Sequence, residues 1–373
     1  PSPGGVDCIT SDSAGRIWFS TTRLGASTLH RLDPDTGATT RIPFQNEAER
    51  RITLILVDST DRLWLGTAAA DLPGRVGAEA VLEAYDGCHA LLDRLLPPAQ
   101  EPMKLTPASG PVIAAVQDDA HRLWFGQENG GLTRYDPATG RSVTLRADPS
   151  DPATLVGDSV GHLAFDAAGT LWVLAGSGSS AGADPTTRLH RVDPETMAVI
   201  RIGLRSTVPD WSDGATLATW AIDRSGVLWL GSNAGGLRYF DTATQGFELF
   251  RAGSPDGLAD GFVRAICQGR DGALWIGTPK GISRMDRAIG PAWRPSPESA
   301  DLPPLPSTHI EALFEDHEGT LWIGTTRGLV RWDSTSGAAE VLQHDPDDPN
   351  SLADNKSHVS HEYPKGTIWF CTG

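Results

Sequence analysis

The sequence lacks several features that would point to a particular chemistry. It has only four cysteines, Cys8, Cys88, Cys267 and Cys371, and no two of them stand in C-x-x-C spacing. A structural zinc site or a redox pair needs closely spaced thiols, so we predict neither, and we expect these cysteines to be small buried apolar residues. Gly-x-Ser-x-Gly elbows, phosphate-binding loops and His-Glu-x-x-His motifs are also missing, so the sequence offers no motif of the common hydrolases, nucleotide enzymes or metalloproteases.

Positive charge and long apolar runs are scarce as well. The 373 residues include 31 Lys and Arg against 47 Asp and Glu, which gives a formal net charge of −16. Nucleic-acid binding requires a basic stripe, so this balance argues against a nucleic-acid partner. No apolar run approaches the roughly 18 residues of a membrane-spanning helix, and no charged-then-apolar leader precedes the first repeat.

What the sequence does contain is a repeat centred on tryptophan. Each repeated Trp follows Ile or Leu and precedes another apolar residue, and successive copies are 46 to 60 residues apart. The eight copies are Trp18, Trp64, Trp124, Trp172, Trp229, Trp275, Trp322 and Trp369. Asp stands six residues before the Trp in six copies, and Gly stands three before it in six, with Asp61 and His121 in the other two. Because Gly, Asp and His tolerate a positive φ, we predict a turn with a left-handed residue there.

A period in the mid-forties made of short alternating segments is typical of a β-propeller. In the last full copy we predict four strands, a to d: His309–Glu315, Thr320–Thr325, Gly328–Asp333 and Ala338–Gln343. Seven such units run from about Gly5 to Gln343. The sequence therefore predicts an all-β, seven-bladed β-propeller of four-stranded blades over residues 1–351. Residues 352–373 are predicted to form the first strands of an eighth repeat, which opens a truncated second propeller. An eight-bladed ring is the alternative.

We expect the repeated Trp residues to be structural. Blades that pack face to face bury both faces of the second strand, and a Trp buries on the order of 150–250 Å². A ligand site would not need the same residue in every blade, whereas repeat packing does. A Gly two residues after the Trp is expected to allow close backbone approach. This Gly occurs as Gly66, Gly126, Gly231, Gly277 and Gly324.

The connections predict where a ligand would bind. Turns from a to b and from c to d are short and nearly uniform, whereas links from b to c and from d to the next a vary, with expanded b-to-c links at Ala68–Glu79 and Ala175–Thr187. Loops that vary are where binding residues concentrate. Polar residues just past strand b, with Trp211 in a long loop, form the predicted ligand site. They are Arg23, Glu128, Asn129, Trp211, Asn233, Lys280 and Arg327. Aromatic, amide and guanidinium groups suit a polyhydroxylated ligand, because each buried hydroxyl needs a partner.

No catalytic residue, cofactor or metal site is predicted. The ten histidines are spread over many repeats. His358 and His361, with Glu362 alongside, are the one candidate metal pair. Two ligands fall short of a closed site, so a solvated strand edge explains these residues better.

The repeat resembles the two-component-regulator propeller repeats of the extracytoplasmic sensor regions of bacterial hybrid two-component systems. The matching residues are Asp316-x-x-Gly319-x-Leu321-Trp322-Ile323-Gly324-Thr325, then Gly328-Leu329, and the loop from Asp345 to Leu352. The resemblance covers essentially the whole chain. It implies a non-catalytic periplasmic sensor, often of oligosaccharides, built from two successive seven-bladed rings before a membrane helix and a kinase or other output domain. We therefore expect an oligosaccharide or small polar ligand, further propeller and output domains as partners, and an extracytoplasmic location, with homodimer formation left open.

Two other functions remain open. Streptogramin lyases are also seven-bladed, with Gly-x-Leu-Trp-Phe-type repeats, which Trp124-Phe125-Gly126 and Trp18-Phe19 resemble. Most copies here have Leu, Val or Ile after the Trp instead. The third hypothesis is a protein-interaction platform whose variable face binds a polypeptide.

Overall fold

The computed structural model describes residues 6–23, 26–43, 50–69, 81–85, 111–148, 150–176, 189–202, 217–241, 246–252, 258–287, 293–296, 302–333, 336–348, 350–362 and 366–372. Every regular element in these ranges is a β-strand, and no helix among them could span a membrane. The strands fall into two compact units. The first comprises residues 1–180 and 185–203, and the second comprises residues 181–184 and 204–373.

The first unit contains four antiparallel sheets, three of four strands and one of three. The first sheet is β1 (Val6–Ser11), β2 (Ile17–Arg23), β3 (Ala26–Leu32) and β4 (Thr39–Ile42). The second is β5 (Arg50–Val57), β6 (Leu63–Ala69) and β7 (Val81–Tyr85). The third is β8 (Val112–Gln117), β9 (Leu123–Gln127), β10 (Gly131–Asp136) and β11 (Arg141–Leu145). The fourth is β12 (Ser159–Phe165), β13 (Leu171–Gly176), β14 (Leu189–Val192) and β15 (Val199–Arg201).

The second unit contains three four-stranded sheets and one two-stranded sheet. The fifth sheet is β16 (Leu217–Ile222), β17 (Leu228–Ser232), β18 (Leu237–Asp241) and β19 (Gly246–Phe250). The sixth is β20 (Ala265–Gln268), β21 (Leu274–Thr278), β22 (Gly281–Arg287) and β23 (Trp293–Ser296). The seventh is β24 (Ile310–Glu315), β25 (Thr320–Thr325), β26 (Gly328–Asp333) and β27 (Ala339–Leu342), and the eighth is β28 (Ser357–Glu362) with β29 (Ile368–Thr372).

These sheets are β-propeller blades, which confirms the predicted all-β fold class. The four strands predicted for the last full copy agree with β24 to β27 to within one residue at each end. The predicted number of blades is wrong, both as seven and as eight, because the described residues form six four-stranded sheets. The repeated Trp marks only strand b. The outer strand is solvent-exposed, as the pattern of β11 and β27 shows, and has no repeated residue by which to count it. The strand d expected at Ala90–Leu96 lies outside the described residues.

The turn before each Trp-bearing strand has the predicted left-handed residue. Asp61 and His121 have φ values of 60° and 62°, close to the 87° of Gly15 in the equivalent position. Such values are uncommon for residues other than Gly, although Asp and His tolerate them better than most. The prediction is therefore confirmed for both exceptions to the Gly pattern.

The aspartate six residues before the Trp holds both the turn and the indole. In the fifth sheet, Asp223 Oδ1 accepts the backbone N–H groups of Ser225 and Val227, and Oδ2 accepts the indole N–H of Trp229. The indole N–H bonds of all six such pairs are 2.8–3.0 Å long. The pairs are Trp18–Asp12, Trp64–Asp58, Trp124–Asp118, Trp172–Asp166, Trp229–Asp223 and Trp322–Asp316. A buried indole N–H needs such an acceptor, so the carboxylate removes a desolvation cost while it closes the turn.

In the first, second, third, fifth and sixth sheets, the buried Trp packs against the next sheet along the chain. Trp229, for example, lies in one core cluster with Val263, Leu274 and Ile276 of the sixth sheet. Gly231 permits this approach, because a Cβ there would lie 2.6 Å from Cγ1 of Val263. Truncating a buried Trp typically costs about 3–5 kcal/mol, so these contacts are a main source of sheet-to-sheet stability.

An arginine on strand c covers the face of the Trp in five sheets. In the sixth sheet, Trp275 and Arg284 are opposite each other in the β21–β22 register, and the guanidinium carbon lies 5.2 Å from the ring centre. The same cross-strand contact, at 5.6–5.9 Å, occurs for Arg31, Arg134, Arg191 and Arg331. A cation at this distance is attracted to the indole face by about 0.5–2 kcal/mol.

Candidate ligand-binding site at the long-loop end

The strand order a-b-c-d gives each four-stranded sheet two different ends. Because neighbouring strands are antiparallel, the b-to-c link and the d-to-a link leave the sheet at the same end, which we call the long-loop end. The a-to-b and c-to-d turns lie at the opposite, short-turn end. In the sixth sheet, for example, the b-to-c turn joins β21 to β22 at Pro279 and Lys280.

Five of the seven predicted ligand residues lie in b-to-c turns, as expected from their position after strand b. They are Glu128, Asn129, Asn233, Lys280 and Arg327. Arg23 ends β2 and its backbone pairs with Ala26, but its side chain is outside the described residues, as is all of Trp211. Glu128 and Asn129 belong to the first unit, whereas Asn233, Lys280 and Arg327 belong to the second. Their binding role stays a prediction.

Several of these residues make structural contacts in the fold. Asn129 has a φ of 61°, so it fills a left-handed turn position that Asn tolerates. Lys280 Nζ lies 2.6 Å from Oδ2 of Asp260, and its hydrogen bond holds the pKa of that carboxyl below the ordinary value. The backbone carbonyl of Arg327 accepts a 2.7 Å hydrogen bond from Nε2 of Gln343.

The structure adds two charged residues that sequence reasoning missed, at the long-loop end of the innermost strands. Glu311 follows Ile310 in β24, where the pairing with β25 shifts register between Ile310 and Ala312. Arg264 stands directly before β20, and its backbone N–H bonds to the carbonyl of Gly277. Both residues are five positions before the Asp, or its equivalent Gly269, of their repeat. The equivalents in four other repeats are uncharged: Thr53, Ile113, Gly161 and Ala218. The first repeat has Asp7 at this position, so a charge there is only a weak sequence signal for the pair.

Arg264 and Glu311 form an ion pair between the sixth and seventh sheets. Nη1 of Arg264 donates to Oε2 of Glu311, whose side chain is only 4% exposed, while the Arg264 side chain is 32% exposed. The guanidinium also lies over the ring of Phe262, 4.9 Å from its centre. His309 stands alongside, with Nε2 3.6 Å from Oε1 of Glu311. We call Phe262, Arg264, His309 and Glu311 the mouth cluster.

Two nitrogens of the mouth cluster have no hydrogen-bond partner among the described residues. They are Nε of Arg264 and Nε2 of His309, and both are buried. Nε of Arg264 is an N–H donor, and a buried N–H without an acceptor costs about 1–3 kcal/mol, so it calls for an explanation. Nε2 of His309 is a donor or an acceptor according to the tautomer. A ligand that supplies oxygen acceptors at the long-loop end would remove this cost.

The short-turn end of the second unit carries two shallow depressions, of about 400 and 390 Å³. Their linings include Arg224, Gln268, Arg270, Glu315 and Glu362. These residues take part in turn-to-turn hydrogen bonds: the backbone N–H of Arg224 donates to Gln268 Oε1, and that of Arg270 to Glu315 Oε1, both at 2.8 Å. A third turn-to-turn hydrogen bond of 2.8 Å runs from the backbone N–H of His317 to Oε2 of Glu362.

The same arrangement recurs in the first unit, where the Ser59 N–H donates to Gln117 Oε1 at 2.9 Å. The residue after the repeated Asp, or after Gly269 in the sixth sheet, is thus held by a side chain of the next sheet. This contact joins sheets together and explains why the short turns are uniform.

Within the part of the chain that the structure describes, no three His, Cys, Asp or Glu side chains are grouped as metal ligands. Cys267 is a free thiol in those ranges. The side chains of His358 and His361 lie outside them, so the candidate metal pair is not placed.

The family model of the two component regulator propeller matches residues 257–280 and 304–327. The chain therefore carries repeats of this type, and the two matched segments contain the whole mouth cluster. A search of the curated proteins found no match to the chain.

Solved structures with similar folds include propellers of several kinds. The extracellular domain of a protein described as a hybrid two component system of B. thetaiotaomicron is 18% identical with a TM-score of 0.45, and the alignment covers 98% of this chain and 48% of that one. Virginiamycin B lyase from Staphylococcus aureus is 14% identical with a TM-score of 0.50, over 99% and 92% of the two chains. PorZ, a surface component of the type-IX secretion system of Porphyromonas gingivalis, is 15% identical with a TM-score of 0.54, over 99% and 60%.

At these identities the likeness shows a shared β-propeller fold. The chain spans about half the length of the two component domain that it matches.

Proposed function

We propose that the chain is a non-catalytic, ligand-sensing propeller of an extracytoplasmic signal-transduction protein, and that it binds a polar ligand such as an oligosaccharide at the mouth cluster. The family match supports the sensor role, because it names the two component regulator propeller. The matched segments are also the ones that supply Arg264 and Glu311. Location outside the cytoplasm and coupling to an output domain are part of the same proposal.

The observation that carries the proposal is the Arg264–Glu311 pair. Burying a carboxylate and a guanidinium costs desolvation energy, and an apolar pair of similar volume is often as stable or more so. Packing between the sixth and seventh sheets therefore does not by itself require charges at this position. A ligand site can use these charges, because a polar ligand must find charged or hydrogen-bonding partners when it is buried.

A ligand screen tests this function. The purified chain would be titrated against a panel of neutral and acidic oligosaccharides, with thermal shift as the first readout and calorimetry as the second. We expect at least one ligand to raise the melting temperature, because a ligand that binds only the folded state stabilises it. Arg264→Gln should abolish the shift.

The matched control is Arg270→Gln, because Arg270 is an arginine at the short-turn end with its side chain 56% exposed. This control should bind like the unaltered chain. The proposal would be contradicted if the folded protein bound no saccharide of the panel. It would also be contradicted if binding depended on Arg270 and not on Arg264.

A lyase activity is the second candidate, and the position of His309 is the observation that favours it. A histidine beside a buried carboxylate is a plausible general base, since the carboxylate orients and stabilises the imidazolium. The 3.6 Å separation of His309 Nε2 from Glu311 Oε1 is compatible with that pairing. Turnover of a cyclic lactone by the chain, lost in His309→Ala, would establish this activity in place of simple sensing.

A further inference from the structure

We propose that Arg264 receives a carboxylate of the ligand, so that the mouth cluster selects acidic saccharides over neutral ones. This inference rests on the proposed function and names the ligand class of the same site. The inference depends on which nitrogens of Arg264 donate hydrogen bonds within the protein and which could donate to a ligand carboxylate.

A guanidinium presents two neighbouring donors, Nε–H and one Nη2–H, along one edge. Within the described residues, the hydrogen bonds and ion pairs of the Arg264 side chain all run through Nη1, to Glu311. Nε makes no hydrogen bond there, and no contact with an acceptor is recorded for Nη2. The Nε and Nη2 edge is therefore a complete two-donor fork, the geometry that matches the two oxygens of a carboxylate.

Two contacts hold this fork in a fixed orientation. Glu311 binds the guanidinium at Nη1, and the guanidinium carbon lies over the Phe262 ring, 4.9 Å from its centre. Because Glu311 is 4% exposed, it has little freedom to follow the guanidinium elsewhere. A donor pair that is already positioned loses less conformational entropy on binding than a mobile arginine would.

The surrounding charges leave Arg264 as the donor best placed for an anion. Lys280 is engaged by Asp260 at 2.6 Å, and Glu311 is the acidic group that faces Arg264 from the seventh sheet. Glu311 contacts Nη1, on the far side of the guanidinium from the Nε and Nη2 edge. A carboxylate on that edge therefore lies away from the Glu311 oxygens, whereas a neutral hydroxyl would satisfy only one of the two donors.

Trigalacturonate and its full methyl ester provide a matched pair of probes, since they differ only in the carboxylates. We expect calorimetry to show the acid binding at least about ten-fold more tightly than the ester, as charge-assisted hydrogen bonds are roughly twice as strong as neutral ones. Arg264→Lys keeps the charge and removes the fork. It should reduce the preference for the acid several-fold without removing it, because an ammonium still attracts a carboxylate but cannot donate to both oxygens as a fork. Arg270→Gln should keep the full preference.

Glu311→Gln tests the positioning role, because Gln can still accept from Nη1 without the charge. It should weaken binding of the acid by a few-fold while the acid remains preferred over the ester. Far-ultraviolet circular dichroism and a thermal melt would show that each variant is folded. If Arg264→Gln fails to fold, Arg264→Lys and the ester comparison carry the test.

Equal binding of acid and ester by the unaltered chain would overturn this inference and leave the sensing function standing. An unchanged preference in Arg264→Lys would overturn it as well, as would a sulfated trisaccharide that binds more tightly than the acid. If neither the acid nor the ester binds while other saccharides of the panel do, the inference about the carboxylate is wrong but the proposed sensing function is not contradicted. If the folded protein binds no saccharide of the panel, the proposed function itself is contradicted.

Discussion

The indole N–H of Trp229 donates to Oδ2 of Asp223 across 3.0 Å, and the other oxygen of that carboxylate accepts two backbone N–H groups of the turn between them. One side chain thereby joins a surface turn to a fully buried ring. The Trp and Asp repeat together because each satisfies a hydrogen-bonding requirement of the other.

The first prediction concerns this pair. Asp223→Ala should lower the free energy of unfolding by about 2–4 kcal/mol, because it leaves the Trp229 N–H and two turn N–H groups without their acceptor. The midpoint of urea unfolding, followed by tryptophan fluorescence, measures the loss.

The sixth repeat supplies the control, since Gly269 stands where the Asp would be. Trp229→Phe removes an indole and its hydrogen bond to Asp, whereas Trp275→Phe removes an indole that has no such aspartate. We expect the first substitution to be the more destabilising by about 1 kcal/mol. Equal losses would show that the carboxylate contributes nothing beyond closing the turn.

The second prediction tests the turn-to-turn contacts at the short-turn end. Gln268→Ala removes the acceptor of the Arg224 N–H and should cost about 1 kcal/mol in urea unfolding. Glu340→Ala, on an outer strand with its side chain 61% exposed, is the control and should change stability by less than about 0.5 kcal/mol. A Gln268 variant as stable as the control would mean that water replaces the lost contact without cost.

The third prediction concerns pH. Burial lowers the pKa of His162 from its ordinary value of 6.5, so the folded state favours the neutral ring. As pH falls through about 6.5, the unfolded chain takes up a proton that the folded chain resists, and stability must decrease. Unfolding between pH 7.5 and 5.5 should therefore depend less on pH in His162→Gln than in the unaltered chain. Identical pH profiles would show that His162 protonates as readily in the folded protein as in the unfolded chain.

The fourth prediction concerns Cys267. Burial raises the pKa of its thiol from 9.0 to about 11, so at pH 8 only about one molecule in a thousand carries the reactive thiolate. In a variant with Cys8, Cys88 and Cys371 replaced by Ser, a disulfide reagent should label the native protein over 100-fold more slowly than the unfolded protein. Rapid labelling of the native state would contradict the buried position.

Sequence reasoning succeeded where one residue type determines a local conformation. The apolar alternation around Trp322 located β25, and the tolerance of Asp61 and His121 for positive φ identified their turns. It failed for the number of blades, because the repeated Trp marks only strand b and the exposed outer strands repeat no residue by which to count them.

The candidate site was harder to predict because its contacts join residues that are far apart in the sequence. Lys280 was predicted to line the ligand site, and nothing in the sequence indicated that its Nζ lies 2.6 Å from Oδ2 of Asp260. Arg264 and Glu311 are 47 residues apart, and no local pattern indicates that their strands bring them into contact.

Hydrogen exchange with and without the tightest ligand of the saccharide panel tests the account most directly. The account predicts slower exchange on binding in residues 258–266 and 305–312, which contain the mouth cluster, and no change in the short turns at 223–227 and 268–273. Protection confined to those short turns, with residues 258–266 and 305–312 unchanged, would contradict it.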